Sequence, residues 1–181
     1  RTAISFAVGG NPVASSLLTI EGLTKTYEIS RGFAGRSYRR TVKAIDNIDL
    51  TLFKGETLGL VGESGCWKST LGRLILKLEE PTGGRILFLD EELADLQGKR
   101  LQRYRTQVQI VFQDPYASLN PRKTAGETLA EPLIIHGHCL NSRKAKAAAA
   151  EELLRMVGLP PEYRHRYPHE FSGGQRQRIG I

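Results

Sequence analysis

The stretch Gly62-Glu63-Ser64-Gly65-Cys66-Trp67-Lys68-Ser69-Thr70 sets two glycines ahead of a lysine and two hydroxyls. These residue types in this order suit a loop that cradles phosphate. Consecutive backbone N–H groups converge on one concavity at a helix N-terminus, where the helix dipole already favours an anion. In such a loop Lys68 supplies a point charge to the β- and γ-phosphates of a nucleotide, and Ser69 a hydroxyl ligand for Mg²⁺. The elements needed to aim the loop lie on either side. Glu56 to Val61 is a short apolar run of strand type, and Leu71 to Leu78 has helical spacing. Strand, tight glycine-bearing loop, then helix is the context this chemistry demands.

One position departs from the pattern G-x-x-x-x-G-K-[ST]: the glycine expected beside the lysine is Trp67. Glycine serves there because it takes positive φ and lets the backbone come close to a ligand. Two outcomes stay open from the sequence: the indole clashes with the phosphates, or it points away and leaves the cradle intact.

Two further groups follow. Gln113-Asp114-Pro115 comes directly after the apolar run Val108 to Phe112, and a polar group at the carboxyl end of a strand in an open α/β sheet is where ligand contacts lie. Ser172-Gly173-Gly174-Gln175 precedes an amphipathic run and reads as a second helix N-terminus with exposed N–H groups, again suited to an anion. The four histidines, His136, His138, His165 and His169, make no metal or catalytic cluster. The two cysteines, Cys66 and Cys139, have neither metal-ligand spacing nor a disulfide framework, which suits a reducing compartment.

A length of 181 residues with mixed apolar and charged composition sets the expectation of one globular domain with its own core. No apolar run approaches a membrane span and the N-terminus lacks a secretory pattern, so a soluble chain is expected. The net charge of +7 is clustered in Arg31 to Lys43, Lys99 to Arg105, Arg143 to Lys146 and Arg164 to Arg178. That balance suits nucleic acid, an anionic membrane surface or a phosphorylated ligand without choosing among them.

In chain order, residues 1 to 16 read as a leader or linker. Leu17 to Tyr27 reads as a strand, Arg31 to Arg40 as a hairpin loop or insertion, and Val42 to Leu52 as the return strand. Lacking intervening helices, these strands predict an antiparallel unit ahead of an α/β core. Pro81-Thr82-Gly83-Gly84 stops the first helix, Arg85 to Asp90 and Val108 to Phe112 read as strands, and Ala94 to Tyr104 as a charged helix between them. Beyond Pro115 the pattern turns helical. Thr124 to Ile135 has helical spacing, and Asn141-Ser142 caps a helix through Ala145 to Val157 that ends at Gly158.

The three groups taken together, Gly62 to Thr70, then Gln113-Asp114-Pro115, then Ser172 to Gln175, resemble in order the Walker A loop, Q-loop and signature of ATP-binding-cassette ATPases. The longer strings Phe112 to Arg122 and Tyr167 to Gln175 resemble the oligopeptide/dipeptide importer subfamily. The resemblance runs from about residue 17 to the end. It implies an α/β fold of the P-loop NTPase type with an N-terminal antiparallel β subdomain and a helical subdomain. Its implied boundaries are a leader at 1–16 and a partial cassette at 17–181, divided into 17–114 for the β subdomain and loop core, 115–175 for the helical subdomain, and 172–181 for the signature and the start of its helix.

The resemblance also implies roles. Tyr27 stacks on adenine. Gly62, Glu63, Ser64, Gly65, Cys66, Trp67, Lys68, Ser69 and Thr70 surround the phosphates of ATP, and Ser69 and Gln113 meet Mg²⁺. Lys68 and Gln113 serve the chemical step. Ser172, Gly173, Gly174 and Gln175 close across a dimer on ATP held by a second cassette. The implied partners are that second ATPase subunit and transmembrane permease subunits, with an extracytoplasmic solute-binding protein acting indirectly and no nucleic acid, at the cytoplasmic face of the membrane.

Family members continue into the Walker B Asp-Glu pair and a switch histidine. Neither is in these 181 residues, so the chain is expected to be an inactive fragment cut at both ends. Two other readings stand beside the importer: a degenerate, non-hydrolysing cassette marked by Trp67, and a cassette acting on nucleic acid or the ribosome.

Overall fold

The computed structural model describes residues 6–7, 15–33, 36–63, 67–112, 114, 118–137 and 142–181. Expectations resting on Ser64, Gly65, Cys66, Gln113, Pro115, Cys139 and most of the leader lie outside these residues. The chain divides into two compact units, Arg1–Arg105 and Thr106–Ile181.

The first unit is built on a four-stranded antiparallel sheet in the order β3-β2-β5-β6. Its strands are β2 (Ser16–Phe33), β3 (Arg36–Phe53), β5 (Gly83–Phe88) and β6 (Glu91–Glu92). A separate two-residue pairing joins β1 (Phe6–Ala7) to β4 (Gly59–Leu60). Strand β2 lies between β3 and β5, with Ile20 opposite Leu50 on one side and Ile86 on the other. Alternation does the sorting. Leu18, Ile20, Ile48 and Leu50 are buried, whereas Glu21 beside Ile20 and Asp49 between Ile48 and Leu50 are exposed, as period-two geometry requires when one face is covered.

Helix α1 (Lys68–Ile75) lies against β3 and contributes Leu71 and Leu74, at 0% and 1% exposure. Complete burial of a leucine contributes roughly 1.5–3 kcal/mol, enough to fix a helix of eight residues that would not persist alone. Helix α2 (Gly98–Gln107) follows a short 3-10 turn at Leu93–Asp95. It packs through Tyr104, whose ring meets Phe88 edge-on with centroids 5.1 Å apart and whose hydroxyl donates to the Ile75 carbonyl.

Three sequence expectations change here. The hairpin continues through the stretch read as a loop at Arg31 to Arg40: Ile29 pairs with Arg40, Arg31 with Tyr38 and Phe33 with Arg36. In a two-stranded ribbon each strand satisfies the other's backbone groups, so glycine and arginine content does not end it. Val108 to Phe112 forms no strand; Ile110, Val111 and Phe112 are 42%, 55% and 56% exposed. An apolar run becomes a strand only where a neighbouring ladder accepts it. The expected strand from Glu56 to Val61 shrinks to Gly59–Leu60, and its partner Phe6–Ala7 comes from the stretch read as a leader.

The second unit is helical. Helix α3 (Ala125–Ile135) opens with a capping box in which Thr124 accepts from the Glu127 N–H at 3.3 Å while Glu127 accepts from the Thr124 N–H at 2.8 Å. Helix α4 (Arg143–Met156) is capped by Ser142, which accepts from the Ala145 N–H at 3.0 Å, and Gly158 follows it at φ +70°. Helix α5 (Gly173–Ile179) completes the unit. Leu119, Ala125, Leu154, Leu159, Phe171 and Ile179 form its core, with Tyr163 edge-on to Phe171.

Gly84 sits at φ +75°, and a Cβ there would come 2.3 Å from the Gly22 carbonyl oxygen. Gly84→Ala is therefore expected to destabilise the protein by about 1–3 kcal/mol, seen as a lowered Tm with nucleotide absent. Burial pushes the Tyr104 phenol up to about 12 from its ordinary value of 10.0. The neutral phenol thus contributes stability in full below its ordinary value, and that contribution is lost as pH rises through about 12. Absorbance titration of phenolate formation should find one tyrosine ionising near the top of the alkaline range, and Tyr104→Phe should remove it.

Candidate functional site

The candidate loop begins where β4 ends. Gly62 and Glu63 are exposed beyond Leu60 and Val61, and Trp67 is the N-cap of α1. Lys68, Ser69 and Thr70 form the first helical turn. The Lys68 ammonium folds back over the loop, donating to the Gly62 carbonyl and, at 2.9 Å, to the Glu63 carbonyl. A cation is thereby held on the carbonyls of Gly62 and Glu63 by a residue of the first turn of α1, the end of the helix whose first N–H groups have no acceptor within it and carry partial positive charge. Ser69 is exposed, its hydroxyl side chain at the outer face of the same turn. A lysine side chain and the helix dipole thus both put positive charge at this end of α1.

Trp67 answers one half of the objection raised by its size. Its backbone is right-handed helical, with φ −50° and ψ −11°, so the position does not need the positive φ that glycine alone takes easily. Its side chain is 8% exposed and packed into protein. No side-chain cap bonds the first turn of α1, which leaves those N–H groups to backbone, solvent or ligand.

Tyr27 stands on β2, half-buried, and its surroundings tie it to α1. Its hydroxyl donates to Glu79 Oε2 at 2.5 Å. The Thr70 side chain also bears on the phenol oxygen, in the same helical turn as Lys68 and Ser69. Glu79 in turn is 3.6 Å from the Lys25 ammonium and 3.5 Å from the Arg73 guanidinium. The hydrogen bond from Tyr27, reinforced by Lys25 and Arg73, holds the Glu79 carboxyl below its ordinary value despite partial burial, and the same bond raises the Tyr27 phenol. Lys25 also donates to the Glu80 carbonyl at 2.6 Å and lies 5.1 Å from the Tyr27 ring centroid.

Glu79 was invisible as a site residue in the sequence. It sits in the stop that ends α1, 52 positions from Tyr27, and no local spacing links a strand residue to a turn residue that far away.

In the second unit, Ser172 is the N-cap of α5 and forms a capping box with Gln175: the Gln175 N–H donates to Ser172 Oγ at 3.3 Å, and the Ser172 N–H to Gln175 Oε1 at 3.0 Å. Ser172 and Gly174 are exposed, while Phe171 just ahead is buried in the core and anchors the turn. The helix N-terminus read from Ser172-Gly173-Gly174-Gln175 is therefore present, with both polar side chains spent on shaping it. Of the predicted site residues, Tyr27, Gly62, Glu63, Trp67, Lys68, Ser69 and Thr70 belong to the first unit, and Ser172 to Gln175 to the second.

Among the described residues no helix is long and apolar enough to cross a membrane. The ABC transporter family model matches residues 45–181. The putative oligopeptide transport ATP-binding protein YkfD of Bacillus subtilis is 52% identical over 143 residues, covering 79% of this chain and 43% of that protein. The oligopeptide transport ATP-binding protein OppF of the same organism is 48% identical over 170 residues, covering 93% of this chain and 53% of that one. The chain thus spans about half the length of these relatives. Among solved structures, the dimeric post-hydrolysis state of the ATP-binding cassette MJ0796 bound to ADP and Pi matches with a TM-score of 0.67 at 30% identity, over 90% of this chain and 66% of that one. With the family model covering most of its length and two relatives near one-half identity, this chain belongs to the ABC transporter family.

Proposed function

We propose that this chain is the ATP-binding part of an importer of peptides, binding MgATP through the loop ahead of α1 and working as a pair of cassettes beneath transmembrane permease subunits, at the cytoplasmic face of the membrane. The observation that carries this reading is the Lys68 ammonium folded onto the Gly62 and Glu63 carbonyls at the start of α1. It places an ammonium on two carbonyls whose contacts a phosphate oxygen can replace. The similarity to oligopeptide transport ATP-binding proteins supplies the substrate class of the transporter.

In this reading Lys68 swings from the loop carbonyls to the β- and γ-phosphates, and the N–H groups at the head of α1 take the remaining oxygens. The energy of the exchange comes from the extra negative charge now facing the helix dipole. Ser69, exposed in the first turn, offers its hydroxyl to Mg²⁺, with Gln113 as a further ligand. Bound Mg²⁺ would supply charge neutralisation across the phosphates. Tyr27 meets the adenine from β2. Ser172, Gly173, Gly174 and Gln175 present the start of α5 to nucleotide held by a second cassette, and residues 115–175 serve as the helical subdomain facing the permease.

The buried indole and helical backbone of Trp67 favour a competent loop over a degenerate one. In the full-length protein paired with a second cassette, Lys68→Ala should weaken MgATP binding by more than about tenfold, roughly 1.4 kcal/mol, while leaving Tm unchanged without nucleotide. Trp67→Gly should change the affinity by less than that factor. A larger gain on Trp67→Gly would identify the indole as an obstruction and favour the non-hydrolysing cassette; absence of MgATP binding in the parent would end the motor reading.

A further inference from the structure

The Tyr27 ring sits in a set of contacts that its own strand does not require. Strand β2 is held by β3 and β5 through its backbone ladder and by Leu18, Ile20 and Leu23 in the core. The phenol nonetheless donates a 2.5 Å hydrogen bond to Glu79, and that carboxylate also faces Lys25 from β2 and Arg73 from α1. Glu79 itself lies just past the end of α1, where the chain turns toward β5. One carboxylate therefore ties the strand bearing the aromatic ring to the helix whose first turn carries Lys68, Ser69 and Thr70.

We propose that Glu79 is a positioning residue for nucleotide recognition: it holds the Tyr27 ring at a fixed place relative to the head of α1, so that a base and its phosphates are met by one pre-set frame. The proposal rests on the reading that Tyr27 meets the base. The physical reason lies in the cost of ordering. A tyrosine with a free hydroxyl samples several χ1 wells, and a ligand that stacks on it must immobilise it. With the hydroxyl held by an ionised acceptor, the rotamer is already chosen before the ligand arrives. Charge-assisted hydrogen bonds of this length are strong enough to make the choice. The Lys25 ammonium approaches the ring 5.1 Å from its centroid and also grips the Glu80 carbonyl, which fixes the strand side of the same frame and keeps the carboxylate charged. A stacked base needs only one face of the ring.

The reading distinguishes ligands. A molecule with a base and a triphosphate feels the frame, whereas one with phosphates alone does not. The test uses the full-length chain assembled with a second cassette and two probes, MgATP and magnesium tripolyphosphate. Glu79→Ala should weaken MgATP binding about tenfold, Tyr27→Phe should weaken it similarly, and the double variant should be no weaker than either alone, as expected when both remove one interaction. Glu79→Gln keeps an acceptor for the phenol and should retain most of the affinity. Tripolyphosphate binding should be unchanged in all four.

Equal losses for MgATP and tripolyphosphate on Glu79→Ala would assign the residue to the helix rather than to the ring and overturn the proposal. So would additive losses in the double variant, or an unaltered MgATP affinity in Glu79→Ala beside a large loss in Tyr27→Ala. If Tyr27→Ala leaves MgATP binding intact, the base platform lies elsewhere and the underlying assignment of Tyr27 fails instead. Should Glu79→Ala not fold, Tyr27→Phe and Glu79→Gln decide the matter, since neither removes the carboxylate-sized side chain from its place.

Discussion

The contact on which the rest depends is the burial of Leu71 and Leu74 as α1 lies against β3. Helix α1 is eight residues long and has no side-chain cap, so nothing local would keep it wound. Its apolar face does so by joining the core. Once fixed, the helix sets the direction of its own dipole, the position of Lys68, and the place where the loop from Gly62 must arrive. The site is in that sense a by-product of packing: the head of α1 is fixed in place because Leu71 and Leu74 hold the helix's apolar stripe against the sheet.

The sheet is shaped for the same purpose. Strand β2 is hydrogen-bonded on both sides, and its irregular register near Ile20, Leu23 and Lys25 turns the strand just before Tyr27. Gly22, at φ +56°, and Gly84, at φ +75°, meet at this point, with the Gly22 N–H donating to Asp49 at 2.6 Å. Bulges bend strands and re-aim the side chains that follow. Tyr27 and Lys25 lie beyond the bend, where their side chains reach Glu79 rather than the apolar interior.

Features written in short-range chemistry were legible in the sequence. Ser142 and Gly158 bracket α4 and Ser172 opens α5, because caps are made by residues a few positions apart; the Thr124–Glu127 capping box of α3 has the same short range and was not read. The antiparallel start of the chain was legible as well. Long-range partners were not. The ribbon through Arg31 to Arg40 depends on a cross-strand ladder that composition does not encode. The apolar run Val108 to Phe112 has the composition of a strand yet takes no strand structure, because composition does not encode which ladder would accept it. Trp67 looked like damage because the pattern stores glycine's conformational freedom and says nothing of where a larger side chain goes; its helical φ and burial show that this backbone does not use that freedom.

The start of α5 carries the last step. The capping box satisfies the N–H groups of Ser172 and Gln175, and the first N–H groups of any helix have no acceptor within the helix itself. At Gly174 the fold itself does not demand glycine: a Cβ built there meets nothing within 4 Å, and the backbone is not in the left-handed region. A glycine that its own chain does not need is consistent with close approach by something outside it, because a missing side chain lets another surface reach the backbone. The turn is anchored by Phe171, buried in the core of the unit, with Gly174 exposed just after it. That physical content stands behind the proposed closure of this turn on nucleotide held by a second cassette. It also explains why Ser172 and Gln175 can be occupied with each other without loss: they shape the turn, and the backbone between them is what remains on offer.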